Sequence, residues 1–144
     1  MATEYHYFDS TILARNHLHG VGAAGRVTDA VIISSEVVRI ELALVIERRR
    51  AAGAIDAGTA RTLRAQAPIF LAPLHLFPLG SEMLERAESP FAVAVNALDA
   101  IHVGTAEVVA RDADGTLVFW TLDPRRASAA TARGLTVRGG SGDA

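Results

Sequence analysis

The sequence predicts an α/β protein: a three-layer α/β/α sandwich whose mainly parallel sheet is covered by helices on both faces. Three observations lead there. Short apolar segments rich in β-branched and aromatic residues alternate with helical stretches along the whole chain. Two of the strand-like segments end directly in an aspartate, Asp9 and Asp123. The chain has 144 residues, half of them hydrophobic, which suits one domain with a buried core.

The elements follow in order. EYHYFD reads as a short strand ending at Asp9, and Ser10 can cap the helix that follows. A glycine-rich connection, HGVGAAGR, leads to a second strand, AVIIS. Ser34 or Ser35 can then cap a helix through EVVRIELALVIERRR. Arg48, Arg49 and Arg50 end it, where cations oppose the negative end of the helix dipole. Gly53 and Gly58 bracket a turn before the helix TARTLRAQA, and PIFLAPLHLFP supplies a third strand broken by prolines. The helices SEMLERA and ALDAIHVGTAEVVA come next. RDADGT is a turn, LVFWTLD a fourth strand, RRASAATARG a helix closed by Gly134, and LTVR a last short strand. GGSGDA, residues 139–144, reads as a loose tail.

Composition excludes several functions. With no cysteine there is no disulfide framework, zinc ribbon or thiol nucleophile. A net charge of −2 argues against coating nucleic acid by bulk electrostatics, while leaving room for local basic residues. Every basic residue is arginine; lysine is absent. The start, MATEYHYFDS, shows no signal peptide and no apolar run is long enough to span a bilayer, so a cytoplasmic protein is expected.

Four carboxylates carry the functional argument. Asp9 and Asp123 end strands, and ligands of open parallel sheets bind beyond the carboxyl ends of strands. Either one alone is explained equally well as a helix cap. Glu41 has Val37, Val38, Leu44 and Val45 at helical spacing, so it must leave water with its stripe. Glu36 and Glu47, by contrast, have Arg39 and Arg50 in reach. Asp99 has Val95 and Val103 at four-residue spacing and could also be a helix-end acid. Four acids without evident partner cations would repel one another in one cleft unless a dication joined them. Oxygen-only ligation suits Mg²⁺ or Mn²⁺, and such ions activate water against phosphodiesters.

These segments resemble the motifs of PIN domains, in particular the VapC toxins. YFDSTIL is similar to the family's opening strand and first acid, and SSEVVRIEL to its second motif, with Glu41 as the glutamate. LDAIHVGTA is similar to the third, with Asp99 as its acid, and FWTLDPRRASAA to the fourth, with Asp123 two residues after Thr121. All four occur in the family's order across nearly the whole chain. The resemblance implies a PIN domain over 1–138 and a five-stranded parallel sheet of order 3-2-1-4-5. It also implies a metal-dependent endoribonuclease with Asp9, Glu41, Asp99 and Asp123 as catalytic and metal-binding residues. Ser10 and Thr121 would be supporting hydroxyls, Mg²⁺ or Mn²⁺ the cofactor, and RNA the substrate. The partners implied are a second copy of the chain and a cognate antitoxin. Arg126 stands where some relatives carry a polar or acidic residue, so one metal rather than two is expected.

Other signals carry less. GVGAAG matches a dinucleotide fingerprint, but Ser10 to His19 separate it from its strand and too little helix follows. His17 and His19 would point apart on a helix, and the surface is the expected place for both. His102, one turn after Asp99, can pack beside the acids, with an ordinary core histidine as the default reading. His6 and His75 show no ligand pattern, Arg48 to Arg50 suit a solvated helix end, and Trp120 suits the core. Receiver domains, dehalogenase-type phosphatases and P-loop hydrolases all need a lysine that this chain lacks. A PIN-like module that only binds protein remains as the alternative.

Overall fold

The computed structural model describes residues 3–25, 27 and 30–139. The strands are β1 (Glu4–Phe8), β2 (Val31–Ser35), β3 (His75–Phe77), β4 (Thr116–Trp120) and β5 (Thr136–Arg138). The helices are α1 (Ser10–Leu18), α2 (Val38–Ala51), α3 (Ala57–Leu71), α4 (Ser81–Glu88), α5 (Ala97–Asp112) and α6 (Pro124–Ala132). All strand pairings are parallel, in the order β3-β2-β1-β4-β5. This is the PIN-like α/β/α architecture expected from the motifs.

The period-two alternation of strand side chains makes the three layers. Phe8 and Ile32 face one core, with Ile12 and Leu13 of α1, Val38, Leu42 and Ile46 of α2, and Leu71 of α3. Their neighbours Tyr7 and Ile33 face the other, with Phe119, with Val103 and Ala106 of α5, and with Ala129 and Ala130 of α6. Tyr7 pairs with Phe119 in register between β1 and β4, and their rings stack at 5.1 Å. The central strands are thereby fixed on both faces.

Three local expectations change. α3 runs through Pro68 to Leu71, so residues 68–71 are helical and β3 shrinks to His75–Phe77. Proline removes one ladder hydrogen bond, but Leu63, Ala67, Phe70 and Leu71 pack against the core from the same helix and hold it together. The cap of α1 is Asp9, which accepts from the amides of Thr11 and Ile12; Ser10 is already helical. The start of α2 falls at Val38, with the Ser35 hydroxyl accepting from the Val37 amide. Ser34 instead donates to the Phe8 carbonyl at 2.6 Å, tying β2 to β1. Gly134 closes α6 with φ +85°, a conformation that favours glycine. Apart from Gly139, the 139–144 tail lies outside the described residues.

Candidate active site

The carboxyl ends of β1 and β4 lie side by side. β1 hands through Asp9 directly to α1, whereas β4 ends at Trp120, not at Asp123 as expected, and Thr121 and Leu122 lead to the Asp123 cap of α6. Glu41 sits in the first turn of α2 and Asp99 in the first turn of α5, both near the same rim. Asn96 caps α5 and forms a reciprocal capping box with Asp99. Asp123 caps α6, whose third residue is Arg126.

Asp9, Glu41 and Asp99 converge, and Arg126 sits among them. Its Nη1 donates to Asp9 Oδ2 at 2.8 Å and to Ser10 Oγ at 3.2 Å, and its Nε to Asp99 Oδ1 at 3.0 Å. Its Nη2 is 3.9 Å from Glu41 Oε2. The remaining oxygens are also engaged. Asp9 Oδ1 accepts from the Thr11 and Ile12 amides and the Thr11 hydroxyl, and Thr121 donates to Oδ2. Ser10 donates to Glu41 Oε2 at 2.6 Å, and His102 Nε2 lies 2.6 Å from Oε1. Asp99 Oδ2 accepts from the Asn96 amide at 3.2 Å. Among the described residues no buried side-chain nitrogen or oxygen lacks a partner.

Electrostatics follow from that wiring. Burial alone would raise the Glu41 pKa, but the His102 hydrogen bond and charge, the Ser10 hydroxyl and Arg126 outweigh it and hold the carboxyl below its ordinary value. Burial would likewise lower Arg126, yet the charges of Asp9 and Glu41 and the bonds to Asp99 and Asp9 raise it. Burial pushes the Tyr7 phenol far up, so it stays protonated and can donate to His102 Nδ1, 2.7 Å away. His102 Nε2, on the far side of the ring, faces Glu41. A buried chain Tyr7–His102–Glu41 thus backs the acids from the core side.

The donor chemistry of three carboxylates suits a hard dication, but Arg126 already serves as their cation in this arrangement. The guanidinium fills the point where they meet. Among the described residues no group of three or more acidic, histidine or cysteine side chains stands ready to hold a metal. The expectation that the acids lack a partner cation is therefore corrected: the chain supplies its own. Asp123 is placed differently from the other three acids. It spends Oδ1 on the amides of Arg125 and Arg126, starting the helix that carries Arg126. Ser10 and Thr121 do support the site, on Glu41 and Asp9 respectively.

Two residues matter more than the sequence suggested. His102 is fully buried against Glu41, beyond the default of a core histidine. Arg126 is 5% exposed, a burial that arginine rarely reaches unless paired. The available signal was four acids with no evident cation partners, followed by an arginine three residues after Asp123. His17 is corrected from surface to core: Nε2 lies 2.7 Å from the Leu63 carbonyl and the ring packs on Phe70. His6 is also buried and accepts from Trp120 Nε1 at 2.7 Å. The whole of α1 separates the glycines of GVGAAG from β1, as a dinucleotide site would not.

No family model and no curated protein matches this sequence. Among solved structures, a chain in the crystal structure of VapBC2 from Rickettsia felis bound to a DNA fragment from their promoter matches with a TM-score of 0.66. The match covers 95% of this chain and 99% of that one, at 11% identity. A likeness at that identity is one of fold, and it spans both chains nearly end to end. The protein is a PIN-like α/β/α domain, sharing its architecture with a chain of VapBC2.

Proposed function

We propose that this protein is a VapC-type toxin, an endoribonuclease that hydrolyses RNA phosphodiesters with Mg²⁺ or Mn²⁺. One observation carries the reading: Asp9, Glu41 and Asp99 converge beyond the carboxyl ends of the central strands of a PIN-like sheet. Asp9, Glu41 and Asp99 are the carboxylates assigned to the metal and to catalysis. A dication held there in place of the Arg126 guanidinium would supply an activated water and offset phosphate charge. Ser10 and His102 hold Glu41 ionised and aimed, Thr121 and Thr11 donate to Asp9 and fix its orientation, and Asp123 anchors the α6 start.

The partner proposed is a cognate antitoxin. Between α2 and α3 lies a groove lined by Ile40, Leu44, Leu71 and Leu74, with Arg39 and Arg64 at hand. Ile40 and Leu44 are 65% and 49% exposed, and we assign this face to the antitoxin. A homodimer in the cytoplasm completes the proposal. No helix of the described residues is long and apolar enough to cross a membrane.

The Arg126 guanidinium favours a second reading, a PIN-like module that binds protein and does no chemistry. Chelator-stripped protein incubated with RNA, with and without Mn²⁺, separates the two. Metal-dependent cleavage, abolished by Asp9→Asn along with toxicity on expression, is the expected result. Cleavage that persists in excess chelator, or an Asp9→Asn protein as toxic as wild type, removes the toxin reading. No cleavage at any metal concentration leaves the binding module.

A further inference from the structure

We propose that Arg126 is the resident cation of this acidic site and excludes a divalent ion from it, so metal enters only as the guanidinium leaves. The inference rests on the reading of these carboxylates as a metal site, but not on cleavage. Its basis is geometric. Nε and Nη1 contact Asp99 and Asp9 at 3.0 and 2.8 Å, so the guanidinium spans the gap that a shared ion would occupy. The backbone behind it is fixed: Asp123 caps α6 and Pro124 opens it, which points the Arg126 stem at the cluster.

Charge explains why the two cations compete rather than one simply winning. A single guanidinium offsets one of three carboxylate charges. A dication would offset two, at shorter range, and Coulomb energy in a buried site scales with both. Against it stand the fork geometry of arginine, already satisfied on two acids, and the cost of releasing that cation from its partners. Hydroxyl donors on Asp9 and Glu41, and the His102 ring nitrogen beside Glu41, offset part of the remaining negative charge and favour the closed arrangement. Arg125, the neighbouring cation, is exposed, and among the described residues its side chain makes no ion pair with Asp9, Glu41 or Asp99, so it supplies an internal control.

The test is Mn²⁺ titration of chelator-stripped wild type, Arg126→Gln and Arg125→Gln by calorimetry. Arg126→Gln should bind about tenfold more tightly than wild type or better, and Arg125→Gln should match wild type. Equal affinity in wild type and Arg126→Gln overturns the proposal, as does an absence of binding in both. Should Arg126→Gln fail to fold, the intact chain supplies the second measurement. The Arg126 Nε–H resonance should be protected from exchange without metal and lose protection as Mg²⁺ saturates the protein. Protection that survives saturation overturns the proposal. Failure of RNA cleavage alone touches the proposed function and leaves this competition standing.

Discussion

Arg126 and Asp9 lie 117 residues apart in sequence, yet Arg126 Nη1 donates to Asp9 Oδ2 at 2.8 Å in a site nearly closed to solvent. Asp9 is wholly buried and the Arg126 side chain is 6% exposed. Each would be costly to bury alone, and neither is alone. The same guanidinium reaches Asp99, so one cation ties the end of β1 to the starts of α5 and α6.

Removing that cation should therefore destabilise the metal-free protein. Arg126→Met keeps much of the side-chain volume but strands three buried carboxylates, at a cost of about 3–5 kcal/mol. Urea denaturation in chelator measures it. A loss under about 1 kcal/mol, the worth of an exposed pair, would show that the buried pairing contributes little.

Asp99→Asn tests the same network from the other side. Were the acids merely repelling one another, neutralising Asp99 would stabilise the fold. Paired with Arg126 and with the Asn96 amide, it should instead cost about 1–3 kcal/mol. Thermal melts of both proteins in chelator decide the sign.

Glu41 predicts a pH dependence. Its folded pKa lies below the ordinary value of 4.5. A depressed carboxylate stabilises fully above the unfolded value, and that contribution fades as pH falls from about 4.5 through the lower folded value. Glu41→Gln should keep the fold, lose RNA cleavage, and flatten this acid limb. Stability measured at neutral pH and at about pH 4 should differ less in Glu41→Gln than in wild type. Parallel curves for the two proteins would show that Glu41 titrates alike folded and unfolded.

Asp123 separates capping from ligation. Asp123→Asn retains a side-chain acceptor for the Arg125 and Arg126 amides and should stay near wild type in stability. Asp123→Ala should lose about 0.5–2 kcal/mol, the worth of an N-cap. Equal stability in Asp123→Ala and wild type would mean the cap does not anchor α6.

Gly104 is set where α5 crosses α4. A Cβ there would meet the Met83 carbonyl oxygen and the Ala87 nitrogen at 3.0 Å, and backbone cannot step aside like a side chain. Gly104→Ala should cost about 1–3 kcal/mol despite its better helix propensity. A melting temperature at or above wild type would show that the two helices can separate.

The sequence by itself determined the layers and the position of the rim. Alternating side chains such as Phe8 and Tyr7, or Ile32 and Ile33, commit the strands to two cores, and strand ends place Asp9 at the edge where chemistry occurs. It also marked Glu41 as a buried acid, because an apolar helical stripe carries its members inward together. Local patterns failed where longer-range packing outvoted them: α3 continues through Pro68 on core contacts, and His17 enters the core to meet Leu63, 46 residues away. What only the tertiary structure decided is which charges meet. The pairings of Arg126 with Asp9, and of His102 with Glu41 across 61 residues, depend on the stacking order of strands and the angles of three helix starts. No spacing in the chain encodes them. An arginine three residues beyond a capping aspartate reads as an ordinary helix start until the fold closes over it, and only then does desolvation make it the counter-ion of the site.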